Sequence, residues 1–414
     1  MTHIDSLPPE LLSHIFYLVY ERMKGSELPP VILNLLLVSS YWHQVATTSP
    51  SLWTYIPLRQ YTESSERVKR AVERSLLRSG ECSLDIVVES PAGSSESLLK
   101  EVAKHAHRWR TLSVDYLTAE AVRILEQIYL PHLLSVSFVE LELASGIKLD
   151  APNLKKVNGP RSESDALVFG DPSPIFTELR YSKSSNDTEL LLSHLRRSQN
   201  SLKTLSLSFT TDPSTSFSIL PDGGTQVSAD TFGLSFTALT DYIVRFMSGP
   251  WDWSPLHLGQ MPLLRHLTIH WYMFEDVAPT SSIPFMPQLL SLQVSLDHGS
   301  RFTKVASPLQ SATPNLERLC LYQTFITVSG NDSEWLSPLI LGDQDHVAAG
   351  WPKLVVLRLC RLGIPQWDDL KSVASCRPAF KQVSVDRKCW KQSKGHRQDL
   401  NALKQYFEVL VTDD

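Results

Sequence analysis

Cysteine is scarce in this 414-residue chain: five residues, Cys82, Cys320, Cys360, Cys376 and Cys389, odd in number and widely spaced. No CxxC pair occurs, so neither a disulfide framework nor a structural zinc site is expected. His105/His107 and His266/His270 are the close histidine pairs, and two residues cannot close a metal site without further ligands. Apolar runs are short as well; the stretch Leu35-Leu36-Leu37-Val38 is far below a bilayer span. The first residues lack the basic, apolar and small-residue order of a secretory leader. The reducing cytoplasm or nucleus is therefore the expected compartment, and the sequons at Asn186 and Asn331 carry no meaning there. Positive charge is not in excess: 39 Lys and Arg stand against 44 Asp and Glu, a net −5. That balance argues against nucleic acid or an anionic membrane as partner.

Catalytic signatures are also missing. There is no GxSxG elbow, P-loop, GxGxxG or HExxH. Asp368-Asp369 and Asp413-Asp414 read as solvated turn or tail carboxylates. The basic stretch Arg387 to Arg397 reads as a solvated loop before a last helix. No catalytic residue, metal or cofactor is assigned, and a non-enzymatic role is expected.

What the chain has in abundance is leucine, 62 residues, and serine, 52. Such a leucine excess without long apolar runs points to periodic packing. The length exceeds a single core of ~150 residues, so several units or a repeat array are expected.

Residues 4–58 are the most distinctive segment. Ser6-Leu7-Pro8-Pro9-Glu10 opens a helix, with proline in the first turn and an acid at the positive dipole end. Leu11, Leu12, Ile15, Phe16 and Val19 then fall on one apolar helix face. Gly25 and Pro29-Pro30 end that helix and set off a second from about Val31 to Val38. Tyr41-Trp42 through Ala46 follow, then a polar turn and Ser51-Leu52-Trp53. Three such short helices carry more apolar surface than one small core hides, which makes Leu7, Leu11, Leu37, Leu52 and Trp53 candidates for burial by another protein.

The order Leu7-Pro8-Pro9-Glu10-Leu11-Leu12, Ile15-Phe16, Val38-Ser39, Trp42 and Leu52-Trp53-Thr54 resembles the F-box, in the variant common in mushroom-forming fungi. The resemblance implies docking on a Skp-family adaptor, and through it on a cullin scaffold. The adaptor-binding residues it implies are Leu7, Pro8, Leu11, Ile15, Phe16, Val38, Trp42, Leu52 and Trp53. The segment Tyr20 to Pro30 is longer and more charged than in compact F-boxes.

Behind a linker helix at 59–81, residues 82–414 repeat an LxxLxL pattern. Trp109, Leu133, Leu154, Phe176 and Leu202 open successive matches 21 to 26 residues apart, the period of leucine-rich repeats. Leu264, Leu289, Leu316, Leu354 and Phe380 open later ones. Between Leu202 and Leu264 there is room for one more, with Phe232, Leu234 and Phe236 alternating as a strand. Pro-x-Leu recurs at Pro131, Pro152, Pro287, Pro314 and Pro352, marking strand entries. Return helices are expected around Leu98-Val102, Val122-Leu125, Leu190-Leu195 and Leu239-Met247. A C-terminal capping helix is expected over Leu400, Leu403, Phe407 and Leu410. The Asn that follows the strand in standard repeats is replaced by Tyr272, Thr324 and Leu362. Insertions are expected at Asp212–Thr231 and Ser329–Gly350.

The expected fold class is α/β: a three-helix F-box, then a leucine-rich-repeat-like solenoid of parallel strands and return helices. If Leu267, Ile269 and Trp271 point inward, His266, Thr268 and His270 point outward. Outward residues change from Ser and Thr in early strands to larger groups in late ones. His266, His270, Arg318, Tyr322 and Arg358 are therefore the candidate target-binding residues. By resemblance, the chain is expected to be a substrate receptor of a Skp–cullin–F-box ubiquitin ligase; the alternative is a scaffold that binds the adaptor without promoting ubiquitination.

Overall fold

A computed structural model describes residues 7–23, 28–59, 65–89, 95–115, 117–138, 147–159, 167–169, 174–183, 188–209, 233–246, 253–272, 282–296, 299–323, 336, 339, 351–360, 367–376, 379–386 and 408–412. Two compact units divide the chain, Met1–Ile175 and Phe176–Asp414.

The first unit begins with helices α1 (Pro9–Met23), α2 (Leu28–Val38) and α3 (Ser40–Thr48), followed by a 3-10 turn, Pro50–Trp53. Pro9 opens α1, and Pro29 and Pro30 lie in the first turn of α2, where a missing N–H breaks no intrahelical bond. The second helix thus starts before the proline pair, not after it. Ser39 caps α3, its hydroxyl accepting from the Trp42 backbone N–H at 3.2 Å. Leu12, Phe16, Tyr20, Val45, Ala46, Leu52 and Trp53 form one buried cluster, with Ile32, Leu35, Leu36 and Trp42 packed against it.

Strands follow at once. They are β1 (Tyr55–Arg59), β2 (Leu84–Glu89), β3 (Trp109–Val114), β4 (Ser135–Phe138), β5 (Ile147–Leu149), β6 (Lys156–Asn158) and β7 (Leu167–Phe169). β1, β2, β3, β4 and β6 pair in that order, all parallel, while β5 pairs only with β7. Helices α4 (Ser65–Arg78), α5 (Ser95–Ala103) and α6 (Ala119–Glu126) connect successive strands, as parallel neighbours require. Strand pairing begins at Tyr55, not near residue 82. Ile56 and Leu58 are buried opposite Ile86 and Val88, and α4, in the expected linker, sits between two paired strands.

Asp85 fastens this start. Its carboxylate is buried and accepts from Arg110 Nε at 3.1 Å, Arg110 Nη2 at 2.7 Å and Thr111 Oγ1 at 2.7 Å. Its backbone N–H donates to the Thr54 carbonyl, where the 3-10 turn ends. A buried carboxylate needs such partners.

The second unit holds β8 (Glu178–Lys183), α7 (Thr188–Ser198), β9 (Thr204–Phe209), β10 (Asp241–Phe246), β11 (His266–Trp271), β12 (Ser291–Leu296), α8 (Gly299–Ala312), β13 (Arg318–Gln323), β14 (Val356–Cys360), α9 (Trp367–Cys376), β15 (Gln382–Asp386) and β16 (Glu408–Thr412). Each strand pairs in parallel with the next. One inward row runs Leu179, Leu205, Tyr242, Leu267, Leu292, Leu319, Leu357, Val383, Val409. A second inward row stacks aromatics, Phe209 on Phe246 at 5.8 Å and Phe246 on Trp271 at 5.6 Å, with Trp253 edge-on to Trp271.

Two expectations fail here. Leu239 to Phe246 is not a return helix: Leu239, Tyr242 and Val244 carry the LxxLxL pattern themselves, and Asp241–Phe246 is strand. Leu234 and Phe236 are buried in the irregular approach to it, with a single bridge from Ser235 to Gln260. At the C-terminal end, Glu408 and Leu410 lie on β16, paired to β15, rather than on a helix. Alternating Val409 and Val411 favour a strand once a neighbouring edge is free to pair. Leu400, Leu403 and Phe407 lie outside the described residues, as do Phe232, Met247, the Asp212–Thr231 insertion, most of Ser329–Gly350, and Thr324 and Leu362.

The Pro-x-Leu lead-ins close a turn before each strand: the leucine N–H of Leu133, Leu154, Leu289, Leu316 and Leu354 donates to the carbonyl three residues back. Side-chain amides tie successive turns together. Asn153 Nδ2 donates to Pro131 O at 2.8 Å, Gln288 Nε2 to Met261 O at 2.8 Å, and Asn315 Nδ2 to Pro287 O at 2.7 Å. These polar links lie on the entry side of the strands, whereas the Asn of standard repeats follows the strand.

Candidate protein-docking surfaces

Helix α1 is apolar on two sides. Leu12, Phe16 and Tyr20, spaced four apart, enter the core; burial pushes the Tyr20 phenol far above its ordinary pKa. Leu11, Ile15, Leu18 and Val19 line the other stripe and stay exposed, Leu18 to 55%. At the end of α2, Leu37 is 82% exposed and Val38 is exposed beside it. Such apolar exposure on short helices is of the kind found at protein-interaction surfaces.

The single apolar face read from the sequence therefore splits. Leu11, Ile15, Val38 and Pro8 are exposed, and Leu7 and Trp42 are half-buried. Phe16, Leu52 and Trp53 do not belong to an accessible surface. Phe16 is 1% exposed with the Trp42 ring 4.9 Å away, and Leu52 is fully buried. Trp53 donates from Nε1 to the Ala46 carbonyl at 2.9 Å and lies under the Arg78 guanidinium of α4, 4.3 Å from its ring centre. A side chain of the next helix thus covers the Trp53 ring. Leu18 is the residue that sequence reasoning missed; its place at i+3 from Ile15 was the available signal.

Residues 4–59 match the F-box-like family. F-box domains generally bind Skp-family adaptors and thereby cullin scaffolds. The match begins ahead of α1 and closes at the end of β1, so the F-box-like segment includes the first strand of the sheet. No curated protein matches the chain.

The second candidate surface is the outward face of β9–β14. His266, His270, Tyr322 and Arg358 are half-buried there and Arg318 is exposed. Adjacent strands align them in rows. Ser208, Arg245, His270, Ser295, Tyr322 and Cys360 are register partners in one row; Asp241, His266, Ser291, Arg318 and Val356 form another. Arg358 shares the row between these with Gln293 and Cys320. The sheet thus brings the five predicted residues onto one face without placing all of them in contact. Arg245 was missed because its segment reads as a helix by spacing. It donates from Nη1 to Ser206 Oγ at 2.6 Å, directly opposite His270 in register. Burial, and then the Arg245 charge, push His270 down to about 4, so its ring is neutral at pH 7. The ring stacks on Tyr272, 6.1 Å between centres. Cys320 and Cys360 approach to 4.0 Å between sulfurs on neighbouring strands. Among the described residues no group of three metal-binding side chains occurs, and no helix there is long and apolar enough to cross a membrane.

Proposed function

We propose that this protein is a non-catalytic substrate receptor of a Skp–cullin–F-box ubiquitin ligase, working in the cytoplasm or nucleus. The observation that carries the reading is the exposed apolar stripe Leu11, Ile15, Leu18 and Val19 on α1, together with the exposed Leu37 and Val38 at the end of α2, within a segment that matches the F-box-like family. This stripe docks the Skp-family adaptor. The strands behind it form a leucine-rich-repeat-like solenoid, and its outward face, with His266, His270, Arg318, Tyr322 and Arg358, holds the target protein. The receptor's contribution is proximity between target and ligase, which by itself is worth a large effective concentration.

Full burial of such an apolar side chain is worth roughly 1.5–3 kcal/mol, against an association cost of about 4–15 kcal/mol. One truncation should weaken the complex; two charges on the stripe should abolish it. The test is co-purification of the full chain with a Skp-family adaptor, comparing wild type with Leu11→Asp/Leu37→Asp. Because both residues are exposed, the variant should melt as wild type does while losing the adaptor. Undiminished recovery of the adaptor would refute the docking surface.

A further inference from the structure

The outward face of β10–β14 reverses the charge of the chain. The whole molecule carries a net −5, yet the outward positions of these five strands hold three guanidinium groups, Arg245, Arg318 and Arg358, and one acid, Asp241. Between the arginines lie the half-buried Thr268, Ser291 and Gln293, whose polar side chains donate and accept hydrogen bonds, while Ser295 and Cys360 in the neighbouring row are buried. Tyr322 and His270 add flat rings beside the charges.

The arginines do not converge on one point. Arg245 lies on β10, Arg318 on β13 and Arg358 on β14. With strands ~4.8 Å apart, Arg245 stands ~14 Å from the line of Arg318 and ~19 Å from that of Arg358. A single carboxylate or phosphate cannot reach both ends. An extended chain crossing the strands, at ~3.3 Å per residue, covers that span in about four to six residues. Guanidinium groups favour carboxylate and phosphate oxygens through paired N–H donors, so the geometry specifies two anions at a fixed separation.

We propose that this face binds an extended acidic segment of a partner protein, whose two anionic groups are about four to six residues apart, one meeting Arg245 and the other Arg318 and Arg358. The proposal deepens the target-binding part of the function above and rests on it.

The full chain, immobilised, is offered a random peptide library with two fixed positions that are Asp/Glu, phosphoserine, or neutral Asn/Gln. These positions are set adjacent or five residues apart. One or both anionic arms should be captured and the neutral arm not, which also tells carboxylate from phosphate recognition. Spaced anions should bind at least tenfold more tightly than adjacent ones. Arg245→Gln and Arg318→Gln should each lower that affinity about tenfold, the loss of one charge-assisted contact. Arg318 is exposed, so its variant tests the surface without disturbing the core. Capture of the neutral arm, indifference to spacing, unchanged binding by both variants, or no capture at all would each overturn the proposal. Adaptor recovery is measured on the same samples. Its loss with peptide capture intact would strike the docking surface alone.

Discussion

At the scale of single residues, burial decides role more than residue type does. Trp53 and Leu37 are both large and apolar, but Trp53 has an acceptor at Ala46 and a cation above its ring, whereas Leu37 has 82% of its surface in solvent. His270 is a second case. Burial and Arg245 hold its folded-state pKa at about 4, below the ~6.5 of an unfolded chain. Between those values the unfolded chain binds a proton that the folded chain refuses. The associated stability is therefore present above ~6.5 and lost as pH falls toward 4. At ~1.4 kcal/mol per pKa unit the loss reaches up to about 3 kcal/mol. Urea midpoints of wild type and His270→Asn, compared at pH 7 and 4.5, should show a steeper decline for wild type; parallel declines would mean that His270 titrates normally.

At the scale of elements, α1 serves two surfaces with one periodicity. Residues 12, 16 and 20 face inward, and 11, 15, 18 and 19 lie about a quarter-turn round the helix. Phe16→Ala should lower unfolding free energy by about 3–5 kcal/mol, since it opens a cavity in a closed cluster. Leu18→Ala should change stability by no more than ~0.5 kcal/mol while weakening adaptor capture. Denaturation of both variants separates the stripes; equal losses of stability would merge them. β10 shows how an element can mislead. Leu239, Tyr242, Ile243 and Phe246 satisfy helical spacing as well as Leu239, Tyr242 and Val244 satisfy a strand. Pairing to both β9 and β11 resolves the ambiguity, and the buried Tyr242 hydroxyl donates to the Pro255 carbonyl at 2.7 Å.

At the scale of the whole molecule, parallel pairing of sequential strands makes each strand's stability depend on its two neighbours. β11 is paired on both sides and its inward residues are buried. β16 is paired to β15, with Glu408, Leu410 and Val411 exposed. Native-state hydrogen exchange should thus find β16 opening at lower free energy than β11. Mass-spectrometric exchange on peptides covering Glu408–Thr412 and His266–Trp271 checks this; equal protection would mean that a further layer covers the last strand.

Much of this was legible in sequence because it depends on periodicity. LxxLxL fixes which leucines point inward, since alternation along a strand leaves no choice once one face is buried. Pro-x-Leu marks strand entry because proline cannot donate to the ladder. The Leu-Pro to Leu-Trp order marks the F-box-like segment. Other features needed the folded chain. Which side of α1 is covered depends on where α2 and α3 pack, and the shielding of Trp53 depends on Arg78, 25 positions away. The amide links from Asn153, Gln288 and Asn315 join residues a full repeat apart. Arg245 faces His270 only because β10 is a strand and pairs in register with β11. A local pattern can state that a side chain must be buried; only the neighbours brought by tertiary packing decide what buries it.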